Sequence, residues 1–240
     1  MRFETEARAT ARLNHPNIVP VFEASFSGNA CYLVTEYVAG SSLADWLDRK
    51  AKSGERVEIS TVVAIVVALA EAVELAHQCG ILHRDLKPSN VLLDTSRCQG
   101  VLPFVPRITD FGLARLNEPG QPITATGDIF GSLPYMSPEQ VHGDHLAVGQ
   151  ASDVYALGVI LYELLTGQLP FKHPNPAEML RMIVDQPPTA PRRVGEEVPA
   201  DLEAIVLNAL EKRPRERYGS AADLAADLGP DGIRVNAISA

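Results

Sequence analysis

Two short stretches hold the residues whose types and spacing could do chemistry. The first reads His83-Arg84-Asp85-Leu86-Lys87-Pro88-Ser89-Asn90; the second is Asp110-Phe111-Gly112, behind a strand-like Pro106-Arg107-Ile108-Thr109. Together they supply a carboxylate, a lysine two residues on, an amide three residues beyond that, and a second carboxylate. A carboxylate can take up a proton, and a lysine presents a compact positive charge. Carboxylate and amide oxygens are the ligands that a hard divalent cation prefers. The plainer alternative is a pair of loop carboxylates with capping roles, and such a role has no need for all of these types together.

In this order and at this spacing the two stretches resemble the catalytic loop H-R-D-L-x-x-x-N and the D-F-G motif of protein kinases, the first at every specified position. The resemblance implies phosphoryl transfer, with an acceptor hydroxyl in line with the γ-phosphate of ATP and Mg2+ spreading the developing charge. On that basis Asp85 would accept the hydroxyl proton and Lys87 would reach the γ-phosphate. Asn90 and Asp110 would hold Mg2+. Asp85-Leu86-Lys87-Pro88 is similar to serine/threonine kinases, since tyrosine kinases usually carry an arginine–alanine variant here.

The resemblance runs from about residue 3 to residue 228. Ser137-Pro138-Glu139 stands where the family has Ala-Pro-Glu, and the segment 131–140 looks like bacterial members. Arg217 matches the arginine that pairs with the position of Glu139, and Asp153 matches a helix aspartate that anchors the catalytic-loop backbone. Tyr32-Leu33-Val34-Thr35-Glu36-Tyr37-Val38 resembles the strand leading into the adenine-binding linker. Thr35 would be the gatekeeper, the carbonyl of Glu36 and the amide of Val38 would meet the adenine edge, and Leu92 would lie under the ring. Arg84 before the catalytic aspartate implies switching by phosphorylation of the loop between Asp110 and Glu139, where a phosphate can pair with such an arginine. Thr124 and Thr126 are the candidate sites, modified by an activating kinase or by the chain itself. Ser132 stands where the family has a threonine beside the substrate.

One part of the pattern is not found. Glu6, in the first helical stretch, occupies the position of the glutamate that pairs with a strand lysine in the nucleotide site. No G-x-G-x-x-G and no V-A-I-K-like stretch precedes it in these 240 residues. Gly28 falls in a turn after the helix and cannot substitute. Thr10, one helical turn after Glu6, stands where the family has an apolar residue. A chain truncated at its N-terminus is therefore expected, with very weak transfer or none, each lost electrostatic group being worth roughly 10²–10³ in rate. The alternative is a non-catalytic, pseudokinase-like module that binds a partner. At the other end, 232–239 resembles a strand of short-chain dehydrogenases and enoyl reductases, with neither a dinucleotide fingerprint nor a Tyr-x-x-x-Lys pair beside it.

The elements that must position these groups follow from periodicity and turn chemistry. Residues 2–13 read as a charged helix stopped by Asn14-His15-Pro16. Extended runs at 18–26 and 30–37 flank Ser27-Gly28-Asn29, which is hairpin chemistry. Ser42 can cap a helix reaching Arg49, and a polar loop follows over 50–58. Residues 60–78 form a long helix, apolar nearly all round in its first half and closed by Gly80. The connection 94–106 reads as a solvated loop. Beyond Pro138, helices are expected near 141 and over 153–165, 176–184, 200–210 and 221–228.

The expected fold is α+β, a protein-kinase-like pair of lobes. Residues 1–38 would give a partial small lobe of one helix and a strand hairpin, residues 39–228 a mostly helical large lobe, and residues 229–240 a tail of uncertain origin. A formal charge of -9 argues against a nucleic-acid partner. Three scattered cysteines give no disulfide framework or zinc site and favour a cytoplasmic setting. The scattered histidines show no metal spacing. The longest apolar run, 62–70, is too short to span a membrane. A Ser- or Thr-bearing protein substrate and ATP are the expected partners.

Overall fold

Around the turn at 28–29 the two extended runs pair as an antiparallel hairpin, β1 (Val21–Ser27) and β2 (Ala30–Thr35), with Val21 opposite Thr35 and Ser25 opposite Tyr32. A register irregularity between Val21 and Glu23 locally bends the pair. The structure is a computed structural model that describes residues 10–27, 30–111, 129–144, 146–195 and 197–229. Thr10, the first of these, is helical, and the chain turns at once towards β1. The rest of the helix expected over 2–13 lies outside the described residues.

A linker, residues 36–39, leads to β3 (Gly40–Ser42) and α1 (Leu43–Ser53). Ser42 caps α1 reciprocally: its hydroxyl accepts from the Asp45 amide at 3.1 Å, while the Asp45 carboxylate accepts from the Ser42 amide at 3.4 Å. α1 runs four residues past Arg49 because Lys50, Ala51 and Lys52 are good helix formers. The lysines also suit the negative C-terminal end of the helix. The loop expected over 50–58 therefore shrinks to 54–58.

α2 (Ile59–Gln78) follows, then a 3-10 turn at Pro88–Asn90, β4 (Val91–Asp94) and β5 (Val105–Ile108). β3, β4 and β5 form a three-stranded antiparallel sheet in that order. Gly40 lies so close to β4 that a β-carbon there would sit 1.8 Å from the Leu93 carbonyl oxygen. The connection between β4 and β5 is exposed over 95–98, 100–101 and 103, as a solvated loop would be, but it is also anchored to the core. It buries Leu102 and Phe104, sets the Phe104 ring edge-on to Trp46 at 6.0 Å, and joins Gln99 to Asn17 through a 2.7 Å hydrogen bond. Three large apolar side chains, Val101, Leu102 and Phe104, follow a polar run there, and nothing local says which of them will be buried.

The remaining elements are helical: α3 (Ile129–Ser132), a 3-10 turn at Leu133–Tyr135, α4 (Pro138–Val141), α5 (Gln150–Thr166), α6 (Pro176–Asp185), α7 (Pro191–Val194), α8 (Ala200–Ala209), a 3-10 turn at Pro214–Glu216 and α9 (Ala221–Leu228). α7 was not legible in the sequence. α5 is the central element: Val154, Tyr155, Leu157, Val159, Ile160 and Leu161 are buried, and α2 and α8 both pack on it. α2 is long and apolar enough by composition to cross a bilayer, yet half of its apolar window is buried inside the protein, and α5 and α9 pack against it.

Two close fits hold the helical part together. At Gly158 a β-carbon would stand 2.8 Å from that of Ala209, so α5 and α8 approach through a bare backbone. Arg217, buried, forks onto the two oxygens of buried Glu139 at 2.8 Å each and also donates to the carbonyls of Ala151, Glu211 and Lys212. The Ser152 hydroxyl donates to the same carboxylate at 2.7 Å. Burial alone would push the Glu139 carboxyl up, but Arg217 and Ser152 together hold it below its ordinary value.

Gly158→Val should lower stability by about 2–3 kcal/mol in urea unfolding, because the Ala209 β-carbon and backbone and the Leu210 side chain leave no room for the added methyl groups. Arg217→Met should lower it by about 3–5 kcal/mol at pH 7, since the variant buries an unpaired carboxylate. The pH dependence has a definite sign. In the parent the depressed carboxyl contributes stability above the unfolded value, and that contribution is lost as pH falls through the folded one. In the variant burial raises the carboxyl instead, so the stability gap between the two proteins should narrow as pH falls from 7 to 5. A gap that stayed constant would contradict this account.

Candidate active site

The loop that carries Asp85 is shaped by Asp153, in the first turn of α5. The backbone amides of His83 and Arg84 donate to Asp153 Oδ2 and Oδ1 at 2.9 and 2.8 Å, and His77 Nε2, from α2, donates to Oδ2 at 2.8 Å. Arg84 is thereby held at φ 66°, and Asp110 stands at φ 63°. Left-handed backbone at a non-glycine residue costs roughly 1–3 kcal/mol and persists where the surroundings over-determine it. Gln140 Nε2 completes the clamp by donating to the Arg84 carbonyl at 2.7 Å.

His83 joins the two motifs. Its Nε2 donates to the Thr109 carbonyl at 3.0 Å, its Nδ1 accepts from the Asp85 amide at 3.3 Å, and its ring lies 4.7 Å from that of Phe111. Thr109 in turn donates its amide to the Asn90 carbonyl at 2.9 Å, continuing the β4–β5 pairing that sets Val91 opposite Ile108. Asn90 and Asp110 are thus brought to the same end of that strand pair.

Around Asp85 the expected residues converge. Lys87 Nζ lies 2.8 Å from Asp85 Oδ2 and donates to the Ser132 hydroxyl at 2.5 Å. Asn90 Nδ2 donates to the Asp85 carbonyl at 2.8 Å and to its carboxylate at 3.3 Å. With its NH2 spent on Asp85, Asn90 has its amide oxygen left for a cation. Asp110 is exposed. Two oxygen donors suit Mg2+, which keeps several waters and takes further ligands from phosphates. Among the described residues no group of three or more His, Cys, Asp or Glu side chains could hold a metal unaided.

The linker carries the other residues expected of the site. The Glu36 carbonyl and the Val38 amide have no hydrogen-bond partner among the described residues, while Glu36 donates its amide to the Pro20 carbonyl at 3.1 Å. An acceptor and a donor two residues apart match the edge of an adenine. Leu92, half-buried on β4, stands opposite Arg107. Behind Thr35 a small pocket is lined by Thr10, Val19, Val21, Leu33, Asp110 and Phe111. Thr10 is buried there with its hydroxyl 3.5 Å from the Phe111 carbonyl, so a polar side chain is accommodated where the family has an apolar one.

Sequence reasoning missed several partners. His77 is not idle but donates to Asp153. Tyr135 donates its hydroxyl to Glu163 at 2.6 Å beside the Ser132 segment, and burial pushes both groups up. Arg107 forks onto Glu36. These pairs are 76, 28 and 71 residues apart, and no local pattern announces them. Glu6, Gly112, Thr124, Thr126 and the tail segment 230–240 lie outside the described residues.

Comparison with known proteins agrees with this arrangement. The protein kinase domain model matches residues 1–227. The chain is 38% identical over 232 residues to serine/threonine-protein kinase PknB of Mycobacterium leprae, covering 95% of this chain and 35% of that protein. It is 40% identical over 221 residues to serine/threonine-protein kinase Pkn1 of Myxococcus xanthus, covering 92% and 30%. The chain therefore spans about a third of the length of these curated relatives. The crystal structure of the Mycobacterium tuberculosis PknI kinase domain is similar with a TM-score of 0.72 at 27% identity, covering 95% of this chain and 77% of that one. With its catalytic loop, its Asp110 strand and its helical core all in that arrangement, the chain belongs to the protein kinase domain family.

Proposed function

We propose that this chain is the catalytic portion of a serine/threonine protein kinase, transferring the γ-phosphate of ATP to a Ser or Thr hydroxyl of a protein. The observation that carries the reading is the convergence of Lys87 and Asn90 on the Asp85 carboxylate. Mg·ATP, when bound, supplies the transferable phosphoryl group and a cation that spreads its charge. Asp85 orients the acceptor hydroxyl and takes its proton as the oxygen attacks. Lys87, between Asp85 and Ser132, neutralises charge on the transferring group. The Asn90 amide oxygen and the Asp110 carboxylate would hold the cation, and the Glu36 carbonyl, the Val38 amide and Leu92 would seat the adenine.

The residues divide as 1–38 for the small lobe and 39–228 for the large one, with 229–240 a tail. Thr124 or Thr126 is the site of activating phosphorylation, and the setting is cytoplasmic. These 240 residues hold no G-x-G-x-x-G loop and no V-A-I-K-like stretch ahead of Glu6, so the chain alone transfers slowly. A second reading, a non-catalytic interaction module, draws on Phe22, Tyr32 and Val34, which leave the β1–β2 hairpin 67%, 45% and 42% exposed.

The test is transfer of labelled phosphate from Mg·ATP to a general Ser/Thr protein substrate. The chain should give a slow rate that Asp85→Asn lowers by roughly 10²–10⁴ or to background, the range for loss of a general base. Equal transfer by parent and variant, or none from a folded parent, would favour the interaction module.

A further inference from the structure

Arg107 is a charged side chain in an unusual place. It lies on β5 and is 2% exposed, so water does not solvate its charge. Its Nη1 and Nη2 donate to Glu36 Oε1 and Oε2 at 2.9 and 3.0 Å, the two-pronged geometry that guanidinium and carboxylate share. Asp94 Oδ2 at 3.4 Å and the Ile18 carbonyl at 3.4 Å complete its surroundings, and its Nε has no partner. Arg97, mostly exposed, approaches the same two carboxylates at 3.4 and 3.8 Å.

The linker has few other restraints. Tyr37 and Val38 make no hydrogen bonds among the described residues, and the Tyr37 side chain is exposed. At its far end the Ala39 carbonyl accepts from the Thr95 amide and hydroxyl, both at 2.9 Å. At its near end the Glu36 amide bonds Pro20, and the Glu36 side chain bonds Arg107. Arg107 also lies three residues before Asp110 on one continuous segment. A single short segment, β5 and the two residues after it, therefore ties the base end of the proposed nucleotide site to its metal end.

We propose that Arg107 is a positioning residue that holds the linker through Glu36 and so fixes the carbonyl and amide that read the adenine edge. The selection of adenine rests on the nucleotide site set out under Proposed function; the restraint on the linker does not. Arg107 acts through Glu36, and removing it leaves Asp94 still bonded to the amide and hydroxyl of Ser96.

The test compares the full chain with Arg107→Met and Glu36→Gln. Amide hydrogen exchange without nucleotide should speed up at least tenfold at the two bonded amides that anchor the linker, Glu36 on the Pro20 carbonyl and Thr95 on the Ala39 carbonyl, in both variants, with α2 and α5 within twofold of the parent. Displacement of a fluorescent nucleotide should show the preference for ADP over GDP falling at least fivefold in Arg107→Met and partly recovering in Arg107→Lys. Unchanged linker exchange, or faster exchange spread over the whole large lobe, would overturn the positioning role. Faster linker exchange with an unchanged ADP:GDP ratio would overturn adenine selection. If the parent bound neither nucleotide while the variants loosened the linker, the nucleotide-site reading would fall and the restraint would stand.

Discussion

A single buried carboxylate organises the site. Asp153 is 1% exposed and accepts from the amides of His83 and Arg84 and from the His77 ring. A charge taken out of water carries a penalty of several kcal/mol unless its lone pairs are well satisfied. Here three donors satisfy it, and each comes from a segment that must be in place for the loop to be correct. The carboxylate therefore favours one backbone path through residues 83–85, including the left-handed turn at Arg84. The penalty also falls heavily on any alternative path.

Everything else in the site is reached from that turn by short links. His83 carries the order across to Thr109 and Phe111. Asn90, bonded to Asp85 by its side chain and to Thr109 by its backbone, brings the second carboxylate to the same edge. α5 supplies Asp153 because its own burial is secured by α2 and α8, with the Gly158 contact setting how close the helices come. The Glu139–Arg217 pair fixes the start of α5 from the opposite side, through Ser152 and the Ala151 carbonyl. Core packing and catalytic geometry are thus one structural problem, joined at the first turn of one helix.

The legible parts of the site were those written in contiguous residues. Asp85, Lys87 and Asn90 fall within six positions, and a tight loop with a 3-10 turn is enough to gather them. The main helices were legible because an apolar stripe or an all-round apolar run leaves a periodic mark, and Ser42 announced its cap. What could not be read were polar partners joined only by the fold. Glu36 and Arg107 each look like an ordinary surface charge, and His77 looks like any histidine on a helix. The 94–106 connection is exposed along most of its length, and what the sequence did not reveal is that Leu102 and Phe104 would be buried while Asn17, far upstream, holds their loop in place. α1 was underestimated because its last turn relies on lysines that also suit a polar loop.

The central claim is that Asp153 holds the catalytic-loop backbone as part of the buried core. It is tested most directly by the exchange rates of the His83 and Arg84 amides, read residue by residue by NMR. The account predicts that both exchange about as slowly as the central amides of α5, and that Asp153→Ala speeds these two amides far more than it speeds those in α8. Rates in the parent typical of a fraying surface loop, with the α5 core fully protected, would contradict it.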